Sequence, residues 1–339
     1  MELAEVTTLR LGGPARTVIE ATDERTLRDA VAVADEAADP LLLVGGGSNL
    51  VVADEGFDGT VVLVRTRGIH IESDACSGAM VTVAAGETWD DLVARAVAEE
   101  WIGVEALSGI PGSVGATPIQ NVGAYGQEVA DTIVSVRVYD RYERAIRTIA
   151  HADCGFGYRT SRFKEQPQRY VVLEVTFQFR LGNLGAPIRY AELARTLGVE
   201  LGERPPAAEI RQAVLALRRG KGMVLDERDH DTWSAGSFFT NPFLTPEQAR
   251  LLPGEAPRFE QADGRIKTSA AWLIDHAGFA KGYGDGPVGL SSKHALALTH
   301  RGGGSTHQLI DLAREVRDGV EQRFGVRLVN EPVLVGVSL

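Results

Sequence analysis

Three consecutive glycines, Gly45-Gly46-Gly47, close a short apolar run, Leu41 to Val44, and lead directly into Ser48-Asn49-Leu50-Val51-Val52. Glycines at a strand end let the chain take positive φ and let backbone N–H groups approach an anion closely. A nicotinamide Rossmann domain would need G-x-G-x-x-G between a strand and a helix. Here Leu50 holds the place of the third glycine, and the chain continues as a strand. No Gly-Lys-Ser/Thr follows, so a P-loop is excluded too. Taken alone, residues 45–50 are either a tight turn between strands or a backbone cradle for a diphosphate.

A second glycine-rich segment bears on that choice. Ser108-Gly109-Ile110-Pro111-Gly112-Ser113-Val114-Gly115-Ala116 precedes Gln120-Asn121-Val122-Gly123-Ala124-Tyr125-Gly126. From Ser108 to Gln127 the apolar residues follow neither a helical nor a strand period. Long irregular segments inside compact domains are uncommon and usually functional. Few side chains leave backbone donors open to something bulky. Gln120 and Asn121 offer amides to a flavin edge, and Tyr125 offers a stacking surface. Two such loops in one α+β unit fit a large flat cofactor with a diphosphate.

Elsewhere strands and helices alternate. The spacing of Leu27, Ala30, Val31 and Ala34 predicts a helix over Thr26 to Ala37. Strands are expected at Leu41–Val44, Thr60–Val64, Met80–Ala85, Thr132–Tyr139, Ala145–Ile149, Tyr170–Phe179 and His294–Thr299. Thr88-Trp89-Asp90-Asp91 resembles a capping box opening a helix to about Glu100. Further helices are expected at Tyr190–Leu197, Ala207–Arg218 and Lys267–Ala277. Ser305-Thr306-His307-Gln308 is a second capping-box pattern, opening a helix with Leu309, Leu312, Val316, Val320 and Phe324 on one core-facing stripe.

The balance of 46 Asp+Glu against 35 Lys+Arg, a net charge of -11, argues against nucleic-acid binding, which needs a basic face. The acidic start Met1-Glu2-Leu3-Ala4-Glu5 is unlike a secretory signal. No window reaches the roughly 18 apolar residues of a membrane-spanning helix. A cytoplasmic protein without a membrane partner is therefore expected. Cys76 and Cys154 lie far apart and read as plain thiols, and the seven histidines show no HxxxH or HExxH spacing, so no metal site is expected.

Four blocks in order carry a family resemblance: GGGSNL, GIPGSVGATPIQNVGAYGQE, CGFGYRTSRFK at 154–164, and AGSFFTNP at 235–242. Together they resemble the UDP-N-acetylenolpyruvoylglucosamine reductase family from about Thr7 to Pro332. The resemblance implies an α+β chain with a two-domain FAD-binding unit of the PCMH/vanillyl-alcohol-oxidase type and a third α+β substrate-binding domain. On that pattern residues 1–67, with 329–339 packing back, form the first FAD subdomain. Residues 68–220, with a lid insertion at about 182–205, form the second, and 221–328 the substrate domain. Pro187-Ile188-Arg189-Tyr190 looks like the branch whose lid carries a substrate-covering tyrosine.

The implied activity is NADPH-dependent reduction of UDP-N-acetylglucosamine enolpyruvate to UDP-N-acetylmuramate in peptidoglycan precursor synthesis. NADPH reduces FAD and leaves, and flavin N5 then passes hydride to the terminal vinyl carbon. NADPH and the sugar share one site, on a monomer. By resemblance Gly45, Gly46, Gly47, Ser48, Asn49 and Leu50, with Ser108, Gly109, Ile110, Pro111, Gly112, Gly115, Ala116, Gln120, Asn121, Gly123, Ala124 and Tyr125, hold FAD. Arg159 holds and polarises the substrate carboxylate, as a guanidinium's fork matches two oxygens. Ser237 supplies the proton, and Glu331 assists charge stabilisation.

Tyr158, Tyr190, Lys221 and Asn241 match substrate positions, and Arg218, Arg219, Lys267 and Lys293 are further cations for a diphosphate. Two positions depart from the family: Thr240 stands where Lys is common, and His294 where some relatives have Gln. Two other functions remain open at this stage. One is an FAD-dependent oxidase of the same cofactor fold; such enzymes often link FAD through a His that is absent from Gly47-Ser48-Asn49. The other is a flavin- or UDP-sugar-binding module without catalysis.

Overall fold

The computed structural model describes residues 1–74 and 78–339; Cys76 lies outside the described residues. The chain forms two compact units. One comprises Met1–Ala15, Gly47–Phe57 and Gly220–Leu339, and the other Arg16–Gly46 and Asp58–Arg219. The chain passes from one unit to the other between Gly46 and Gly47, inside the first glycine loop.

The Arg16–Arg219 unit holds two sheets. In the smaller, the strand Phe57–Val64 lies between Ala15–Ala21 and Leu41–Val44. Leu41–Val44 runs parallel to it, with Leu41 opposite Thr60. The connection between these parallel neighbours runs through the glycine loop and the strand Leu50–Val52, while the helix Glu24–Glu36 joins Ala15–Ala21 to Leu41–Val44. That helix begins two residues before its expected start. Asp23 caps it, its carboxylate accepting from Thr26 N at 2.8 Å and from Thr26 Oγ1 at 2.9 Å.

The larger sheet has six strands, with Ala145–Ala150, Ile133–Asp140, Tyr170–Leu181, Gly78–Ala84 and Ile69–Asp74 in that order. Trp101–Ile102 pairs with the far end of Tyr170–Leu181. Alternation along Tyr170–Leu181 sends Val171, Leu173, Val175, Phe177 and Phe179 into one core. Phe177 stacks on Phe179 at 5.6 Å and Phe179 on Trp101 at 5.8 Å, each pair worth about 0.5–1.5 kcal/mol beyond area burial. Cys154 is wholly buried in this core, and burial pushes its thiol up to about 11, so it is inert packing.

The other unit is organised by the helix Thr306–Phe324. The expected capping box is present: Ser305 Oγ accepts from Gln308 N at 3.2 Å, and Gln308 Oε1 accepts from Ser305 N at 3.0 Å. Asp54 reinforces it by accepting from Thr306 N at 2.7 Å and His307 N at 3.0 Å. The stripe Leu309, Leu312, Val316 and Val320 is buried, with Phe324 packed against the same core. That core includes Leu9 and Leu11 from the chain start and Val51 from beyond the glycine loop.

Three local expectations need correction. Thr88 opens the helix Trp89–Ala98 but makes no side-chain cap; its backbone instead bridges to Ser113. The expected helix from Lys267 begins only at Ala270, because Ile266–Lys267 is a strand, Lys267 lying opposite Phe243 and Phe259. Ser269 Oγ and Asn241 Oδ1 cap the helix at Trp272 N and Ala270 N. The strand expected from His294 is only Leu298–His300, because Ser291 Oγ accepts from Lys293 N and His294 N and turns the chain there. Among the described residues no helix is long and apolar enough to cross a membrane.

Candidate active site

In the Arg16–Arg219 unit the two glycine-rich segments pack backbone against backbone. A Cβ on Gly46 would lie 2.5 Å from Gly112 Cα, and one on Gly45 would collide with Ser113 Oγ. Glycine is thus required at Gly46, where the obstacle is backbone, whether or not a ligand is bound; at Gly45 the obstacle is a side-chain hydroxyl that can turn away. The amides of Gly46, Gly112 and Ser113 donate to no protein acceptor among the described residues. Backbone donors seldom stay unpaired unless water or a ligand meets them. Two loops with almost no side chains and open N–H groups fit a diphosphate. Gly46→Ala should therefore cost about 1–3 kcal/mol by overpacking and loosen FAD. Thermal melting and flavin release on gel filtration check this; wild-type values for both would refute the loop contact.

Buried polar groups organise the second segment. Asp90, in the first turn of Trp89–Ala98, accepts from Gly109 N at 2.6 Å and takes a two-pronged contact from Arg211 at 2.6 and 2.9 Å. Burial alone would raise this carboxyl, but Arg211 and the Gly109 amide outweigh it and hold it below its usual range. Glu105 is fully buried. It accepts from Gly103 N at 2.7 Å, Gln127 Nε2 at 2.9 Å and Ala186 N at 2.5 Å. It joins the start of the glycine segment, its end, and the arm leading to Tyr190. Leaving those donors unsatisfied would cost about 1–3 kcal/mol.

The glycine segment ends in a small hairpin, Gly123–Ala124 against Gln127–Glu128, with Tyr125 and Gly126 at its tip, both at positive φ. Tyr125 meets the Tyr190 ring edge-on at 5.6 Å. Tyr190 precedes the helix Ala191–Leu197 and is 46% exposed. Asn121 is buried and its amide is engaged three times. It donates to Glu128 Oε2 at 2.7 Å and Gly157 O at 3.1 Å and accepts from Ala130 N at 3.1 Å. That side chain shapes the loop.

Arg159 lies at a turn tip against this segment. Its Nη2 donates to Gly123 O at 2.8 Å and Nη1 to Asn121 O at 3.4 Å, and the guanidinium carbon stands 5.6 Å from the Tyr158 ring centre. Arg218 also belongs to this unit. Burial pushes its guanidinium down to about 10, against the upward pull of Tyr125 and Asp90.

In the other unit the segments that carry Ser237 and Glu331, distant in sequence, pair with each other. Phe238 to Thr240 run antiparallel to Val329 to Glu331. Glu331 N donates to Phe238 O at 2.8 Å, Phe239 bridges to Asn330, and Thr240 N donates to Val329 O at 3.0 Å. The next residues, Val333–Val335, pair parallel with Leu50–Val52, and Val333 N donates to Asn49 O at 2.9 Å. Thr8 N donates to Gly47 O at 3.2 Å, and Thr8 Oγ1 to Ser234 O at 2.6 Å. One hydrogen-bond network thus gathers the end of the glycine loop and the segments that carry Ser237 and Glu331.

Asn241 caps a helix through Oδ1, Lys221 is half-buried beyond the helix Ala207–Gly220, and Lys293 is ion-paired with Asp229. Asp90 and Glu105 were missed as organisers of the glycine segment. The first lies inside the Thr88–Asp91 pattern without being one of its capping positions, and the second carries no sequence signal.

These features define a flavoprotein, and an FAD-binding domain model matches residues 15–148. The model for the C-terminal domain of UDP-N-acetylenolpyruvoylglucosamine reductase matches residues 227–335. A protein of that name from Cutibacterium acnes is 57% identical over 99% of this chain and 90% of its own length. Its namesake from Streptomyces coelicolor is 56% identical with the same coverages. The crystal structure of the Thermus caldophilus enzyme aligns over 99% of this chain and 97% of its own, with a TM-score of 0.64 at 25% identity. The chain belongs to the UDP-N-acetylenolpyruvoylglucosamine reductase family.

Proposed function

We propose that the protein reduces UDP-N-acetylglucosamine enolpyruvate to UDP-N-acetylmuramate with NADPH, and that Arg159, Ser237 and Glu331 divide the work at the substrate carboxylate. The observation that supports this reading is the pairing of Phe238–Thr240 with Val329–Glu331, which brings the segment that follows Ser237 against the one that ends in Glu331. Residues 45–50 and 108–125 hold FAD, with Gly46, Gly112 and Ser113 presenting main-chain amides to its diphosphate. Bound FAD supplies a two-electron carrier that takes hydride from NADPH and passes it to the terminal vinyl carbon.

Hydride arriving at that carbon leaves negative charge on its neighbour, and the charge spreads into the carboxylate. Donors fixed beforehand stabilise this state best. Arg159, held by the carbonyls of Gly123 and Asn121, presents its guanidinium to the carboxylate. Ser237 Oγ gives its proton to the α-carbon. A serine is a weak acid, and a carbanion-like acceptor is basic enough to take that proton. Glu331 stabilises the charge as it develops. Tyr190 closes over the sugar nucleotide, and Lys221 and Asn241 lie at its diphosphate. NADPH and the sugar occupy the site in turn, on a cytoplasmic monomer.

The test is steady-state NADPH oxidation with product mass analysis. NADPH loss should depend on the enolpyruvyl sugar and yield a product two hydrogens heavier. A protein that takes up no FAD, or that oxidises NADPH without changing the sugar, contradicts the proposal.

A further inference from the structure

The turn that carries Arg159 is backed by an ammonium group to which the scheme above gives no part. Gly157 and Thr160 exchange both backbone hydrogen bonds, at 3.1 and 3.3 Å, so Tyr158 and Arg159 form the tip of a tight turn. Arg159 has φ +54, in the left-handed region that residues with a Cβ seldom occupy unless their surroundings hold them there. Lys164 Nζ donates to the Arg159 carbonyl at 2.8 Å.

Lys164 is itself fixed. It lies on the short helix Arg162–Glu165, capped by the fully buried Ser161. Ser161 Oγ accepts from Phe163 N and Lys164 N and donates to Ile119 O at 2.5 Å, which ties the helix to the second glycine segment. Asn121 holds the far side of the turn through Gly157 O at 3.1 Å. Arg159 is thus held at both ends, its guanidinium on Asn121 O and Gly123 O and its own carbonyl on an ammonium.

We infer that Lys164 is a positioning residue for Arg159: its ammonium fixes the strained carbonyl, so the guanidinium is aimed before the substrate arrives. The inference rests on the proposal that Arg159 binds the substrate carboxylate. Misplacing a reacting group by about 1 Å costs on the order of 100-fold in rate. Lys164→Met keeps the apolar stem and removes the donor, whereas Lys164→Arg keeps a charged donor.

The experiment follows the two half-reactions of the FAD-loaded protein by stopped flow without oxygen. In Lys164→Met, bleaching by NADPH should stay within about twofold of wild type, while reoxidation by the enolpyruvyl sugar slows roughly 10- to 100-fold. Lys164→Arg should recover most of that loss. Adding Lys164→Met to Arg159→Met should cost little more, because the first change acts through the second residue.

Wild-type reoxidation in Lys164→Met overturns the inference. So does a parallel fall of both half-reactions with loss of flavin, which would make Lys164 merely structural. Losses that simply add in the double variant overturn it too, since Lys164 would then act on the substrate itself. The parent reading fails separately, if Arg159→Met alone reoxidises like wild type.

Discussion

Ser237→Ala is expected to leave NADPH bleaching of the flavin unchanged and to slow reoxidation by the enolpyruvyl sugar by about 100- to 10,000-fold, the range of a lost general acid. Two observations motivate it. Ser237 follows Gly236, a residue at φ +75, and precedes a stretch paired to Glu331, so its backbone is fixed from both sides. The proton is also needed only after hydride has reached the substrate. The variant should fold normally, since the pairing uses main-chain atoms of Phe238, Phe239 and Thr240. Rapid mixing of the reduced variant with the sugar checks this. Equal loss of both half-reactions in a folded, yellow protein would remove Ser237 from the role of acid.

Arg159→Met should be comparably severe in the same half-reaction. Removing one preorganised donor from a developing charge costs about 100- to 1,000-fold, and a guanidinium offers more than one. Affinity for the sugar should also fall, because the carboxylate is present in the ground state. Bleaching by NADPH should persist. Lysine is a poor substitute, as its point charge lacks the fork that spans two oxygens. Measuring kcat and KM together separates the effects: both should worsen. A variant changed in KM alone would make Arg159 a binding residue without a share in the chemistry.

Much of the fold was legible because its signals are local. Ser305 and Gln308 sit at the spacing a capping box needs, and the helix they open has the expected stripe. The apolar run Leu41–Val44 before the glycines is a strand with those bounds. What failed locally was a competition between plausible signals. Thr88 has the residue type of a cap, but its backbone is committed to Ser113. Lys267 lies close to a good helix, but sheet pairing takes it and the caps act at Ala270 and Trp272.

The candidate site was singled out in a different way. Arg159, Ser237 and Glu331 are, taken singly, an ordinary cation, a turn serine and a residue before proline. Ordered motifs singled them out, not periodicity. The contact between the end of the glycine loop and residues 333–335 was hidden because parallel pairing joins segments more than 280 residues apart. Glu105 was hidden for a related reason. Its partners are the main-chain amides of Gly103 and Ala186 and the Gln127 side chain, and no pattern in the sequence marks them.

In the proposed function one flavin serves two separable half-reactions, and the acid and the guanidinium are needed only in the second. Anaerobic titration of the FAD-loaded protein tests it most directly. One equivalent of NADPH should bleach the flavin completely. One equivalent of UDP-N-acetylglucosamine enolpyruvate, added without oxygen, should then restore the full absorbance and yield UDP-N-acetylmuramate. A flavin that NADPH reduces but only oxygen reoxidises, with the sugar unchanged, would contradict the account and favour an oxidase of the same cofactor fold.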